Sequence, residues 1–194
     1  DAFANDDENG NLTDPNYEYA TISSEAELLA AIDNGGKYIV ISDIDVTGLV
    51  ASTQAATRTT GATAEGKVTT INLNGKTITV TNKTGEPFAT VAAGNTLFLE
   101  GGNIVLTEDS NASFIVNNGN VVLSNGTLEN ESGHNTAAVV EGKVIVEENA
   151  TVTDNNTTKV TNSNWLADVL VNGGTYVFTK NMTASEIIVV AAKT

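Results

Sequence analysis

The sequence predicts an all-β chain wound as a parallel solenoid, one rung per repeat, with one short α-helix near its N-terminus. Two recurring patterns carry this. Four apolar strands, Thr70-Ile71-Asn72-Leu73, Thr96-Leu97-Phe98-Leu99, Asn120-Val121-Val122-Leu123 and Lys143-Val144-Ile145-Val146, close on residues spaced by 26, 24 and 23 positions. A companion register runs beside them, with Phe88 to Val91 before Gly94, Phe114 to Val116 before Gly119, and Val139-Val140 before Gly142. The two drift in step, so they belong to one repeat. A period in the twenties, made of short strands and Gly/Asn turns with no intervening helix, is the pattern of stacked rungs.

The elements follow in order. Residues 1–20 carry Asp1, Asp6, Asp7, Glu8, Asp14 and Glu18 with no compensating base, the composition of an acidic flexible arm. Residues 21–194 form the solenoid domain. A helix is predicted over 24–33: Ser24 caps the first turn, Glu27 completes a capping box, and Leu28, Leu29 and Ile32 make one apolar stripe. Asn34-Gly35-Gly36 ends it, because a left-handed residue is cheapest at Gly or Asn. Placed just before the first strand, this helix is read as a cap over the open end of the solenoid.

Rungs are expected over about 37–180, starting with Tyr38-Ile39-Val40-Ile41 and the alternating Ile44-Asp45-Val46. Residues 51–66 are small and polar and contain the only Arg, Arg58, so they read as an exposed excursion, the kind of loop that carries binding on a rigid scaffold. A second interruption, 154–164, precedes Trp165, after which Val169 to Gly173 and Thr175 to Phe178 restore the register. A terminal strand over 185–192 is apolar and either completes the last rung or pairs with another chain. Asn74, Asn125 and Asn149 follow the closing residues of three rungs, and Gly94, Gly119 and Gly142 mark the opposing corners. Stacked Asn side chains along the axis and Gly at positive φ give both sets a structural role.

With Ser24 to Ile32 followed by the strand-turn Ile71-Asn72-Leu73-Asn74-Gly75-Lys76-Thr77-Ile78, the chain resembles right-handed β-helix proteins of the pectate-lyase-like superfamily, over roughly residues 20 to 180. The resemblance implies a single-stranded right-handed parallel β-helix of the kind found in bacterial surface proteins and bacteriophage structural proteins. It does not carry over a catalytic site. Hydrolases of that superfamily combine clustered aspartates with Gly-His-Gly and Arg-x-Lys, whereas the one His here lies in Ser132-Gly133-His134-Asn135 and no Arg-x-Lys occurs. Its lyases set a basic residue beside calcium-binding carboxylates, and Arg58 is remote in sequence from Asp109 and Asp154.

Charge narrows the partners. A net charge of −15 with nine scattered basic residues excludes nucleic acid and anionic membranes, and no stretch is apolar enough to insert as a helix. There is no Cys, hence no disulfide framework and no thiolate metal site. Asn5 to Asn11 imitates a calcium loop, with Gly10 at the sixth position, but Asn5 and Asn16 stand where Asp and Glu ligands are needed, so the arm reads as solvated. The Asn-x-Ser/Thr triplets at Asn82, Asn111, Asn125, Asn130, Asn149 and Asn181 follow from an Asn- and Thr-rich composition. Trp165 reads as a plug for a coil, and sugar stacking at Trp165 or the Tyr17/Tyr19 pair is the lesser reading.

The expectation is a non-catalytic structural or adhesive module, extracellular on a bacterial surface or a virion, without cofactor, metal or catalytic residues. It would work in a homo-oligomer or a larger fibre or decoration assembly. The alternative is an extracellular carbohydrate-binding protein, with a glycan as partner.

Overall fold

A computed structural model describes residues 19–47, 59–60, 68–81, 88–92, 94–110, 115–117, 119–132, 137–139, 143–154, 169–178 and 189–191. Among the described residues one helix, α1 (Glu25–Asn34), stands among strands. Ser24 caps it by accepting from the Glu27 amide at 3.2 Å, while Ser24 Oγ and Ser23 Oγ donate to Glu27 Oε1. Gly35 closes it at φ 74°, and its amide bonds to Ala31 O at 3.1 Å. Leu28, Leu29, Ala31 and Ile32 are buried, which is the predicted stripe widened by one residue.

The helix does not precede the first strand. β1 (Ala20–Ile22) comes before it and pairs in parallel with β2 (Gly36–Val40), so α1 is the crossover between two neighbouring strands, and the arm expected to run to residue 20 yields its last residue to β1. Three residues give no period to read, which is why β1 escapes a sequence pattern. The helix packs against β1, β3 (Ile44–Val46), β4 (Thr59–Thr60) and β5 (Val68–Asn72). β4 falls within 51–66, the segment read as an exposed excursion: Thr59 and Thr60 pair in parallel with a strand of the core, and the remainder of 51–66 lies outside the described residues.

From β5 the chain continues through β6 (Thr77–Val80), β7 (Ala89–Val91), β8 (Thr96–Glu100), β9 (Asn103–Leu106), β10 (Ile115–Asn117), β11 (Asn120–Ser124), β12 (Thr127–Asn130) and β13 (Ala137–Val139). It ends with β14 (Lys143–Glu147), β15 (Thr151–Asp154), β16 (Val169–Asn172), β17 (Thr175–Phe178) and β18 (Val189–Ala191). These strands make three open sheets whose ladders are all parallel. The eight-stranded sheet has the order β1-β2-β5-β8-β11-β14-β16-β18, the six-stranded sheet β17-β15-β12-β9-β6-β3 and the four-stranded sheet β13-β10-β7-β4. From β2 to β13 the chain visits the three sheets in the same sequence four times, so each strand lies beside its counterpart one repeat away.

Register turns the repeat into columns. Ile71, Leu99, Leu123 and Val146 face one another across β5, β8, β11 and β14, all buried. On the six-stranded sheet the inward column is Ile44, Ile78, Ile104, Leu128 and Val152. Ala89 and Val91 of β7, with the neighbouring Phe88, close the core from the third side. Leu73, expected opposite Leu99, lies two residues beyond the partner that the ladder selects, Ile71, although it too is buried. A slip of two preserves which face each side chain takes, so periodicity cannot distinguish the two registers. The four-residue turn Leu73–Lys76 absorbs the offset. The terminal strand, expected over 185–192, is described as β18 and pairs with β16 of its own chain, Leu170 opposite Val189.

Candidate functional site

Behind one corner of the core, among the described residues, the packing leaves a gap too small for a ligand. A gap of about 10 Å³, lined by Leu73, Leu99, Ile104, Leu123, Leu128 and Ala150 among others, lies behind the corner joining the eight- and six-stranded sheets. That is barely the volume of one water and far below a ligand pocket. Among the described residues no group of three His, Cys, Asp or Glu is placed to hold a metal ion, and no helix is long and apolar enough to cross a membrane.

Corner chemistry accounts for the Asn column. Asn74, Asn125 and Asn149 are the only described non-glycine residues at positive φ, at 53°, 49° and 61°. Asn149 Nδ2 reaches Asn125 Oδ1 at 3.5 Å, whereas Asn74 Nδ2 donates to Val40 O at 3.2 Å, because the repeat between them has Gly101 at that corner. Gly94 has the expected positive φ of 80°. Gly119 does not: a Cβ there would lie 2.3 Å from Asn95 O and 2.4 Å from Ala92 O, so close backbone approach selects glycine, and Gly142 is outside the described residues.

One polar cluster interrupts the core. The inward column Val46, Val80, Leu106 continues into Asn130 and Asp154, both buried. Tyr176, at the end of the neighbouring column, donates its hydroxyl to Asp154 Oδ2 at 2.6 Å, and Asn130 Nδ2 approaches Asp154 Oδ1 at 3.4 Å. Asn130 Oδ1 in turn accepts from Ser132 N at 3.0 Å and Ser132 Oγ at 2.7 Å. Mutually bonded polar groups of this kind can sit in a core because each replaces the water that the others lost. The cluster ties β12, β15 and β17 together at the ends of β12 and β15. It went unread in the sequence because Asn and Asp resemble ordinary turn residues; the signal is the alternation Thr-Leu-Glu-Asn and Thr-Val-Thr-Asp, whose last residue faces inward.

The outer face of the eight-stranded sheet carries the second distinctive arrangement. Phe98, Val122 and Ile145 are adjacent in register and alternate with inward-facing Leu97, Leu99, Val121, Leu123, Val144 and Val146. They form an apolar column across the strands, Val122 only 9% exposed and its neighbours half-buried. Thr70 precedes Phe98 in the column and Leu170 follows Ile145. One flank is Asn72, Glu100, Ser124, Glu147 and Asn172, with Asn172 Nδ2 donating to Glu147 Oε2 at 3.0 Å; the other includes Thr96 and Asn120.

The remaining predicted residues distribute as follows. Tyr19 lies beneath Lys37, whose Nζ is 5.9 Å from the ring centroid, an outer-limit cation–π contact. Asp109 is exposed in the turn after β9, and Asp154 is in the core. Arg58, His134, Trp165, Tyr17, the arm segment Asn5 to Asn11 and the 155–164 loop are outside the described residues. Burial pushes the Tyr38 hydroxyl above its usual pKa while it donates to Gly35 O at 2.6 Å. No protein-family model matches the chain, and neither a curated protein nor a solved structure does.

Proposed function

We propose that the chain is a single-stranded right-handed parallel β-helix with α1 as its N-terminal cap, acting as a non-catalytic structural or adhesive module outside the cell or on a virion. The observation that supports this reading is the repeat itself: strands from successive repeats stack in register over three parallel sheets, and their inward side chains fill the interior. Such a stack has a rigid lateral surface and nearest-neighbour stability, properties suited to a spacer or fibre segment. α1 supports the cap because it packs on β3 and β4, the first strands of two sheets. At the opposite end β18 offers an outer strand edge, a template for pairing with a second copy or a larger surface assembly.

Antibody labelling of intact source cells or particles tests the location: surface signal without permeabilisation is expected, and signal only after lysis overturns the reading. Incubation with pectin, alginate and host-type glycans is expected to release neither reducing ends nor unsaturated products. Turnover abolished by His134→Ala or Arg58→Ala would overturn the non-catalytic assignment.

A further inference from the structure

We propose that Asn125-Gly126 is a self-modification site, at which Asn125 deamidates through a cyclic imide and the product loosens the joint between two repeats. The chemistry needs no enzyme. The Gly126 amide nitrogen gives its proton to hydroxide and bonds to Asn125 Cγ, ammonia leaves, and water then opens the imide at either carbonyl to leave aspartate or isoaspartate at 125. Glycine favours the attack because it has no Cβ and lets the backbone rotate into the ring. A fold that holds the peptide group between the two residues stops the same step.

Among the described residues four Asn-Gly pairs occur, and three are held. Gly35 N donates to Ala31 O at 3.1 Å and Gly75 N to Gly101 O at 2.6 Å. Asn172 Nδ2 donates to Glu147 Oε2 at 3.0 Å, and Gly173 bridges to Glu147. At the fourth pair neither Asn125 O nor Gly126 N takes part in a hydrogen bond among the described residues. Asn125 is exposed, sits at φ 49°, and is restrained by two contacts of 3.5 Å, from its amide to Glu148 O and from Asn149 Nδ2 to its Oδ1. Its peptide plane can therefore turn while Gly126 O keeps its bond from Thr151 N, and that turn carries Gly126 N toward Cγ.

The product acts on the tightest part of the stack. Isoaspartate moves a side-chain methylene into the main chain of a two-residue corner, where Gly126 has no room even for a Cβ beside Gly102 O. Either product adds a negative charge beside the next repeat's Glu147-Glu148, whose Glu148 O the Asn125 amide approaches. Both changes push this corner away from the one that follows it.

The test is peptide mapping of the full chain aged at mildly alkaline pH, with urea midpoints read on the same samples. In the folded chain Asn125 is expected to convert about fivefold faster than Asn74, the rate equivalent of the hydrogen bond that Gly75 N must first give up. In urea the four pairs should convert at similar rates. Asn125→Gly, which gives this corner the Gly-Gly sequence of Gly101-Gly102, should keep its urea midpoint through ageing while that of the unsubstituted chain falls. Conversion of Asn34, Asn74 or Asn172 as fast as Asn125 in the folded chain would overturn the proposal, as would the same ranking in urea. So would conversion at 125 with no change in midpoint, or an equal fall in Asn125→Gly. Because the conversion map uses the unsubstituted chain, a variant that fails to fold does not rescue the idea.

Discussion

Gly126→Ala probes the corner on which the stack turns. A Cβ at Gly126 would lie 2.2 Å from Gly102 O and 3.0 Å from Gly102 N, atoms of the preceding repeat's backbone. Relief requires the two repeats to separate by about 1 Å or more to restore ordinary contact. They are held there by Thr127 N to Gly102 O, and the next repeat is held to Gly126 by Thr151 N to Gly126 O, each 2.9 Å. Overpacking of this kind costs about 1–3 kcal/mol, and each weakened ladder bond adds about 1 kcal/mol. The expected loss is therefore about 2–4 kcal/mol, a large part of a typical domain's stability. Urea unfolding should show it as a lower midpoint at unchanged slope. The molecule also supplies a rescue. Where the corner has two residues, Gly101-Gly102, Asn125-Gly126 or Gly173-Gly174, it ends in glycine; where it has three or four, Ile41–Asp43, Glu148–Ala150 or Leu73–Lys76, it ends in Asp, Ala or Lys. Replacing Asn125-Gly126 with Glu-Asn-Ala should recover most of the loss. If Gly126→Ala costs less than about 0.5 kcal/mol, the level of an ordinary surface change, close approach is not what selects glycine.

Three further outcomes follow from the same packing. Leu99→Ala empties the middle of an inward column and should cost about 2–5 kcal/mol; a denaturation shift well under 1 kcal/mol would refute its burial. Thr69 is buried opposite Leu97 with its hydroxyl unpartnered, so Thr69→Val should stabilise by about 1 kcal/mol, and a destabilised variant would mean that the hydroxyl is bonded. Folding raises the Tyr38 pKa, so this group's stabilising contribution is complete below the unfolded tyrosine value and fades as pH rises through the folded one. Tyr38→Phe should therefore flatten the alkaline limb of a stability-versus-pH curve, and an unchanged limb would assign the loss to other groups.

Legibility in the sequence tracked the range of the interaction. The helix could be read at Ser24, Glu27 and Gly35 because capping is local. The repeat was legible because its two registers drift together. The offset at β5 was not, since Ile71 and Leu73 take the same face and only the ladder with Leu99 chooses between them. β1 and β4 contain three and two residues, too few to show a period. The outer column could have been found: in Leu-Phe-Leu, Val-Val-Leu and Val-Ile-Val the middle residue of an apolar run must face outward. The polar cluster is harder, because Asn130 and Asp154 are unusual only once their inward direction is known.

Insertions should be tolerated at one connection and not at another. Between the eight- and six-stranded sheets the linking segments hold only two to four residues, whereas β3 to β4, β6 to β7, β9 to β10 and β12 to β13, which lead on to the four-stranded sheet, are joined by 12, 8, 8 and 6. Variation thus collects at the second connection, where added chain need not pass through the close backbone contact at Gly102 and Gly126. Five Gly/Ser residues inserted between Glu108 and Asp109, both exposed, lengthen a loop whose closure entropy grows slowly, so the cost should be about 1 kcal/mol, including the turn bond from Ser110 N to Thr107 O. The same insert between Asn125 and Gly126 exceeds the longest corner present and separates β11 from the ladder bonds that start β12 and β15. It should destabilise by several times as much, on the scale of the Gly126→Ala loss. Urea midpoints of the two variants decide the matter. Equal penalties would mean that the short corner is an accident of these repeats and not the line on which the stack is built.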